Sequence, residues 1–474
     1  MAVTSTTSSG IEIGRRALQA QQTALQVTSH NIANANTPGF SRRRVDINNA
    51  DSGIPGGIGG GADAASVVRQ RSRFLDSQFR VEQQVLGRWE AIERSLTSIE
   101  SIFNEPAGAG SSEAGSVFNE PSGMGLSGSL SRFWNVWQDL ANVPEGGAAR
   151  AAVRQESQLL VNTMHQIHKQ LNDTRLGIDD QIGFEVGEIN ELIDQLATIN
   201  GAIPNHKFDG GSAGDLEDQR DRLIEKLAQK VDISIVEKDN GSVSILLSGH
   251  NLVQGTTSIH LDVRTISQND FPAKTLFFSD DGSLAAIQDG RLKGLLEVRD
   301  STIPNYLDRL DEMAEVLVAE INSLHKIGYG PTGATGIDFF DANNISASNI
   351  SLDSRIVDDL NNIAASKDGN SGDNATALGI AGLRNERILG AGTATVEGYL
   401  NTLLGEVGSA SKEAQTMAEN HRLFSTQIEN RRQSVQGVSL NDEAAQLVMY
   451  QRAYQAAAKT VSIIDDLMEV TLGI

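Results

Sequence analysis

Leu440, Leu447, Tyr454, Val461 and Met468 recur every seven residues near the C-terminal end, and no other feature restricts the fold as tightly. A second series of Glu443, Tyr450, Ala457 and Ile464 runs beside it. Stripes held over this many heptads predict a coiled-coil-like helix across 440–472, on the order of 50 Å long. Such a helix does not stand alone. Burial stabilises each stripe residue by about 2 kcal/mol, while ordering costs about 1–2 kcal/mol for every residue of the helix. Ala444, Ala445, Ala453, Ala456, Ala457 and Ala458 leave room for a neighbouring helix to come close.

The N-terminal segment offers a partner. Ile11, Leu18, Leu25 and Ile32 are also spaced by seven within a helical stretch over 11–33. Residues 1–50 carry a net charge of +3 and residues 440–474 a net charge of −3. Matched heptads and opposite charge predict that the two ends pair, although two unrelated surface helices on a common core would leave the same stripes.

The N-terminal helix ends in unusual punctuation, "HNIANANTPGFSRRRVDI" at 30–47. Asn31, Asn34 and Asn36 tolerate the left-handed conformation that closes a helix, so Asn34 or Asn36 is expected to cap it. Thr37 precedes proline and is driven from the α region. Pro38-Gly39 suits the centre of a type II turn, and Phe40 follows as an apolar anchor. Arg42, Arg43 and Arg44 then supply a cationic run in an otherwise acidic chain.

Between the ends the texture changes twice. Helical periodicity is expected over 66–103, with Val81, Val85, Ile92, Leu96 and Ile99 on one face, and again over 129–143, 148–201 and 215–230. Glycine-rich loops are expected at 51–63 and 104–125. Residues 231–290 carry β-branched and aromatic runs such as "SVSILLS" and "KTLFFS" separated by Asp-Asn-Gly and Asp-Asp-Gly turns. Helix resumes at 291–326, a Gly/Asn-rich loop spans 328–375, and 396 to the end is nearly continuous helix.

The expected fold class is mainly α with an inserted β domain (α+β): an elongated helical bundle with paired terminal coiled-coil helices. Its parts are an N-terminal helix and turn (1–65), two bundle segments (66–230 and 291–435), a small central β-rich domain (231–290) and a terminal helix (436–474). In this layout the termini lie together at one end and the insertion lies at the other end or outside.

Composition removes several functions. The net charge of −22 opposes general nucleic-acid binding. With no cysteine there is no disulfide, no thiolate metal site and no cysteine nucleophile. "MAVTSTTSSG" has no apolar stretch of the kind a cleaved signal peptide carries, and no apolar run suits a membrane span. His165 and His168 in "HQIH" share a helix face without a third ligand and read as two exposed histidines. "GIGGGA" at 57–62 lacks the strand–helix context of a dinucleotide site and reads as a loop. "DGNSGDN" at 368–374 lacks a distal glutamate for calcium and reads as a turn. No catalytic residue, cofactor or metal is expected. An enzyme and a nucleic-acid or membrane-binding helical protein are the rival classes, the latter resting on the arginine run alone.

"ALQAQQTALQVTSHNIANANTPGFSR" (17–42) resembles the N-terminal signature of bacterial flagellar rod, hook and hook-associated proteins. "VSLNDEAAQLVMYQRAYQAAAKTVSIIDDLMEVTLG" (438–473) resembles their C-terminal end. "LSRFWNVWQDLANVP" (130–144), "DLEDQRDRLIEKLAQKV" (215–231), "GRLKGLLEVRD" (290–300), "INSLHKIGYGPTGATGIDFF" (321–340) and "GDNATALGIAGL" (372–383) resemble the hook-associated protein 1 branch. Another axial component, such as hook or distal rod protein, shares the two ends but not these internal stretches.

The resemblance implies a structural protein at the hook–filament junction, extracellular on the flagellum and exported without a cleaved signal peptide. Implied partners are further copies in a ring, hook protein below, and the next hook-associated protein and flagellin above. An export chaperone on the C-terminal helix and the type III export apparatus complete the set; nucleic acid and membrane do not belong to it. In the family the terminal helices of neighbouring subunits form an inner tube. Ile11, Leu18, Leu25, Ile32, Leu440, Leu447, Tyr450, Tyr454, Val461, Ile464 and Met468 would make that interface. Asn31, Asn34, Asn36, Thr37, Pro38, Gly39 and Phe40 would end the inner helix where the chain turns to the next layer. Arg42, Arg43 and Arg44 would meet acidic residues of an adjacent subunit.

Overall fold

Two antiparallel helix pairs organise the molecule, and each joins distant parts of the chain. The computed structural model describes residues 2–50, 59–103, 125–208, 213–268 and 271–472. The glycine-rich segments 51–58 and 104–124, read above as loops, lie outside the described residues. The first pair is α1 (Ala2–Ala33) with α11 (Leu440–Leu472). The second is α2 (Arg73–Phe103) with α10 (Val396–Gln436), held by Gln83–Ser425 and His421–Glu82 hydrogen bonds of 2.6 and 2.7 Å. The fold class is thus mainly α with a central β-containing region and long terminal helices.

The core of the bundle is aromatic despite the scarcity of such residues. α3 (Leu126–Asn142) lies on α4 (Gly147–Phe208), and its Phe133, Trp134 and Trp137 are fully buried. Phe133 packs edge-on to Trp134 at 4.9 Å, and Trp137 meets Phe339 at 5.1 Å. Phe339 and Phe340 come from the Gly/Asn-rich stretch at 328–375, which is therefore part of the core. Its backbone is fixed by buried Asn322, whose amide oxygen accepts from the N–H groups of Phe339 and Phe340. Short helices α8 (Ser354–Asp358) and α9 (Ala375–Gly382) punctuate the rest.

The β region divides into two sheets. β3 (Ile233–Glu237), β4 (Val243–Leu247), β5 (His250–Gln254) and β6 (Thr257–Ser258) form an antiparallel meander. β7 (Leu261–Gln268) and β8 (Phe271–Phe278) form a separate ribbon. Both lie on α4, where Asn190 and Asn200 bond strand carbonyls at 2.8–3.0 Å. The chain returns through α5 (Gly214–Lys230) before the sheets and α6 (Arg291–Glu297) and α7 (Ile303–His325) after them. A π-turn at Val298–Thr302 joins α6 to α7 and carries buried Arg299 onto Asp179 of α4 at 2.7 Å.

Four features depart from the sequence reading. α1 begins at Ala2, because the partner helix continues alongside it beyond the periodic stretch. Residues 66–72 are not helical: β2 (Ala62–Arg69) pairs with β1 (Arg43–Asn49), and α2 starts only at Arg73. Hydrogen bonds to β1 outweigh a weak helical period there, and Arg69 is drawn to Glu217, Asp218 and Asp221 of α5. Val81, expected on a core face, is exposed. Finally, the β insertion is not remote from the terminal helices. Lys238, Asp239 and Gly241 of the β3–β4 turn line one cleft together with Thr23 of α1 and strand β2.

Candidate assembly interface

The pairing of α1 with α11 is built on small residues. A Cβ placed on Gly14 would lie 2.4 Å from Val461 Cγ2, and one on Gly10 would lie 3.1 Å from Ile464 Cδ1. Ala24, Thr28 and Asn31 are buried further along, so the seam follows Gly10, Gly14, Ala24, Thr28 and Asn31. Ile11, Leu25 and Ile32 follow seam residues by one position, and they and Leu18 are only half-buried. On α11, Leu447, Tyr450, Val461, Ile464 and Met468 are half-buried, while Leu440 and Tyr454 are exposed.

The seam ends in a buried polar lock. Glu443 is fully buried, and its carboxylate accepts from Arg42 Nε at 2.7 Å and from Asn31 Nδ2 at 3.0 Å. Asn31 Nδ2 also donates to the Arg43 carbonyl at 2.9 Å, and Asn31 Oδ1 accepts from the Arg43 N–H at 3.0 Å. A single amide thereby ties α1, the entry to β1 and α11. Removing one member leaves a buried charge or donor uncompensated, which makes the lock a register device.

The turn motif lies next to the lock. The Phe40 N–H donates to the Thr37 carbonyl at 3.2 Å and Gly39 has φ of +74°, as a type II turn requires. A side chain at Gly39 would collide with Arg222, whose Nη1 donates to the Pro38 carbonyl at 3.1 Å. Asn34 and Asn36 are not left-handed; the non-glycine residues with positive φ among the described residues are Ser248 and Ala391. Asn34 caps instead through its side chain, donating to the His30 carbonyl at 3.0 Å and accepting from Thr37 Oγ1 at 3.2 Å. Phe40 is half-buried with its ring 5.4 Å from His30 and 5.3 Å from the Arg43 guanidinium. Asn36, Thr37, Pro38 and Gly39 are exposed on one wall of a cleft of about 670 Å³, opposite the α10–α11 joint at 437–439.

The three arginines have different fates. Arg42 belongs to the lock. Arg43 is buried and pairs with Asp215, with Asp218 3.6 Å away, both on α5. Arg44 is exposed and pairs with Asp46 on its own strand at 2.9 Å. Arg42 and Arg43 therefore meet acids of their own chain, because the turn aims them at α11 and α5.

A second polar centre, missed from the sequence, joins the terminal layer to the bundle. Buried Asp76 at the start of α2 accepts from Arg432 Nε and Gln436 Nε2 of α10, both at 3.0 Å, and meets Arg71 at 2.9 Å. Burial alone would raise the Asp76 carboxyl, but Arg71, Gln436 and Arg432 outweigh it and hold it below the ordinary range. Asp221 behaves the same way beside Arg71, Arg69 and Arg220. Glu225 is the exception, because burial raises it further than Arg432 lowers it. The acid-rich "DLEDQRDRLIEKL" was the available signal, but Arg69, Arg71 and Arg432, which join it to the other layers, lie far away in sequence.

The remaining motifs have local roles. His165 is not exposed; its Nε2 lies 2.8 Å from the Ile350 carbonyl. Asp373 of "DGNSGDN" organises its turn by accepting from the N–H groups of Lys367 and Asp368. Gly61 of "GIGGGA" packs on Ile13 of α1. His250, Asp280 and Asp281 come together at the surface, with His250 Nε2 3.0 Å from both Asp280 oxygens. No described helix is long and apolar enough to cross a membrane.

Known proteins resemble this chain in sequence and in fold. The family described as "Flagellar hook-associated protein FlgK helical domain" matches residues 111–340. "Flagella basal body rod protein" matches 11–40, and "Flagellar basal body rod FlgEFG protein C-terminal" matches 432–474. Flagellar hook-associated protein 1 of Bacillus subtilis (strain 168) is 30% identical over 98% of this chain and 97% of its own length. The protein of that name from Salmonella typhimurium is 24% identical over 96% of this chain and 98% of its own. In fold, the chain is similar to the flagellar hook junction protein FlgK from Burkholderia pseudomallei, with a TM-score of 0.64 and 14% identity over 76% of this chain and 100% of that one. Helical domain, both terminal signatures and full-length similarity agree: the chain belongs to the flagellar hook-associated protein 1 family.

Proposed function

We propose that this chain polymerises at the hook tip as the structural junction between hook and filament, its paired terminal helices packing against those of neighbouring copies. One observation carries the reading. α1 and α11 bury a narrow seam of small residues and leave Leu440, Val448, Met449, Tyr454, Ile463, Leu467 and Val470 exposed on α11. That many exposed apolar side chains on one helix support an association surface. Copies arranged in a ring would cover it, together with half-buried Ile11, Leu18, Leu25 and Ile32. Hook protein would contact the ring below, and the next hook-associated protein and flagellin above.

Export through the type III apparatus, with a chaperone on α11, suits the same surface, since that helix must be covered until it assembles. The ends would stay open before assembly and close on meeting the hook tip. Hydrogen exchange on the soluble chain, reading 2–33 and 440–472 apart from 126–208, tests this. Fast exchange at both ends with a protected bundle is expected, and strong protection at both ends would overturn folding on assembly. Leu447→Asp or Tyr454→Asp tests the junction itself: the bundle should stay folded while incorporation is lost. Normal filaments grown on either variant would refute the assignment.

A further inference from the structure

Arg80, two turns into α2, is half-buried. Among the described residues it is the one arginine, apart from exposed ones, that makes no ion pair, hydrogen bond or ring contact. Taking a guanidinium out of water without an anion to meet it is costly. Asp76, Asp221 and Glu225 act on it from a distance, but their carboxylates are spent on Arg71, Arg69 and Arg432. Burial therefore pulls the Arg80 guanidinium below its ordinary value. Burial bears on Arg69 and Arg71 as well, yet Asp221 and the neighbouring acids hold both above theirs.

Arg80 lines the cleft of about 960 Å³ in which the β3–β4 turn faces β2 and α1. Seven basic and five acidic side chains line it, a net of +2 in a chain whose net charge is −22. Four of those acids are engaged by cations of the same cleft. Asp76 meets Arg71, Asp221 meets Arg69 and Arg71, Glu217 meets Arg69 and Lys207, and Glu237 meets Arg73. Asp239 is exposed on the turn and stays outside these pairs. The cations left over are Arg80 of α2 and Lys238 of the turn, whose ammonium makes no ion pair among the described residues. Concave walls focus such an excess of one sign.

We propose that this cleft binds an oxyanion, of the phosphate or carboxylate type, held by Arg80 and Lys238. A guanidinium offers a planar fork of N–H donors that matches two oxygens of one anion, and an ammonium adds a point charge. Because the two cations belong to α2 and to the β3–β4 turn, the ion ties the start of the bundle to the β insertion. It binds the folded chain and not the unfolded one, so stability rises with its concentration. That chemistry has two sources, a free ion of the medium and an acidic side chain of an adjacent copy.

Inorganic phosphate is the probe, titrated into the soluble full-length chain at constant ionic strength with chloride as the replaced ion, so that general screening does not contribute. Amide exchange at 73–80 and 237–241 should slow saturably, with 126–142 unmoved. Arg80→Gln should raise the half-saturating concentration about tenfold or more. Arg80→Lys keeps the charge and should retain part of the affinity. Lys238→Gln, an exposed change that leaves the fold intact, should weaken binding as well. No saturation by phosphate, or the same affinity in Arg80→Gln and Lys238→Gln as in the unsubstituted chain, overturns the site. The source is then read on isolated hooks. Phosphate that slows addition of the chain over the same concentrations identifies a neighbour's carboxylate as the usual occupant, and addition indifferent to phosphate identifies the free ion. Failure to add to hooks at all would fall on the junction reading, because the titration uses the soluble chain.

Discussion

Asn31 Nδ2 lies 3.0 Å from Glu443 Oε2, across 412 positions of sequence. Glu443 has no exposed surface, and Arg42 supplies the compensating charge at 2.7 Å. Glu443→Leu should therefore cost the terminal pair about 3–5 kcal/mol, because Arg42 and Asn31 lose their acceptor inside the structure. Amide exchange within 2–33 and 440–472 should accelerate on assembled material, with protection of 126–208 unchanged. Equal loss in both regions would show that the lock supports the whole fold.

Gly14 makes the seam's closest approach. Gly14→Val should separate α1 from α11, since even a Cβ would sit 2.4 Å from Val461 Cγ2. Val461→Ala removes the opposing methyl groups and should restore much of the loss from a milder Gly14→Ala change. A double-mutant cycle on helix protection is expected to give a coupling of about 1–3 kcal/mol.

His325 is a neutral structural group. Its Nδ1 lies 2.8 Å from the Ile337 carbonyl, and its Nε2 accepts from the Ala364 N–H at 2.9 Å. Burial pushes its pKa from 6.5 down to about 4. Between those values the unfolded chain binds the proton first, so this contribution is full above pH 6.5 and is lost as pH falls toward 4. The loss should reach about 3 kcal/mol. Urea unfolding from pH 7 to pH 4 should show this slope in the unsubstituted chain and lack it in His325→Gln.

Asp76 makes the opposite kind of acid link, through a carboxylate rather than an imidazole. Its carboxyl is held below its ordinary 3.8, so its contribution is present above that pH and disappears as pH falls below it. Asp76→Ala should cost about 1–3 kcal/mol at neutral pH, because Arg71, Arg432 and Gln436 lose a buried acceptor while Asp221 and Glu225 still compensate the two arginines. Loss of α2–α10 protection at neutral pH is the expected readout; unchanged protection would remove Asp76 from the joint.

The ends and the helical bundle were legible because periodicity reports burial on a long helix. Pairing of the termini was legible from heptads, but the contact face was misread. Ile11, Leu18, Leu25 and Ile32 suggested a seam of large residues, whereas Gly10 and Gly14 beside them make the close contact. Hydrophobicity scores the side chain that is buried, not the absence that allows a neighbour to come near. The β1–β2 hairpin was missed for another reason. "RRRVDINN" and "ADAASVVR" are weak strands singly, and their register, with a bulge between Asp46 and Ile47, is set by each other and by α1. The destination of Arg43 was not legible, because Asp215 lies 172 positions away on an acid-rich helix with several alternatives.

The first and last helices lie against each other, residue 14 beside 461 and residue 31 beside 443. A chain that emerges in order, from either end, has to leave its leading helix waiting until nearly all the rest is through. Closing so large a loop adds only a modest entropy, about 0.6 kcal/mol per doubling of length, but it fixes the sequence of events. The seam is thus a completeness check: a copy cut short anywhere before its last helix keeps its first helix unpaired.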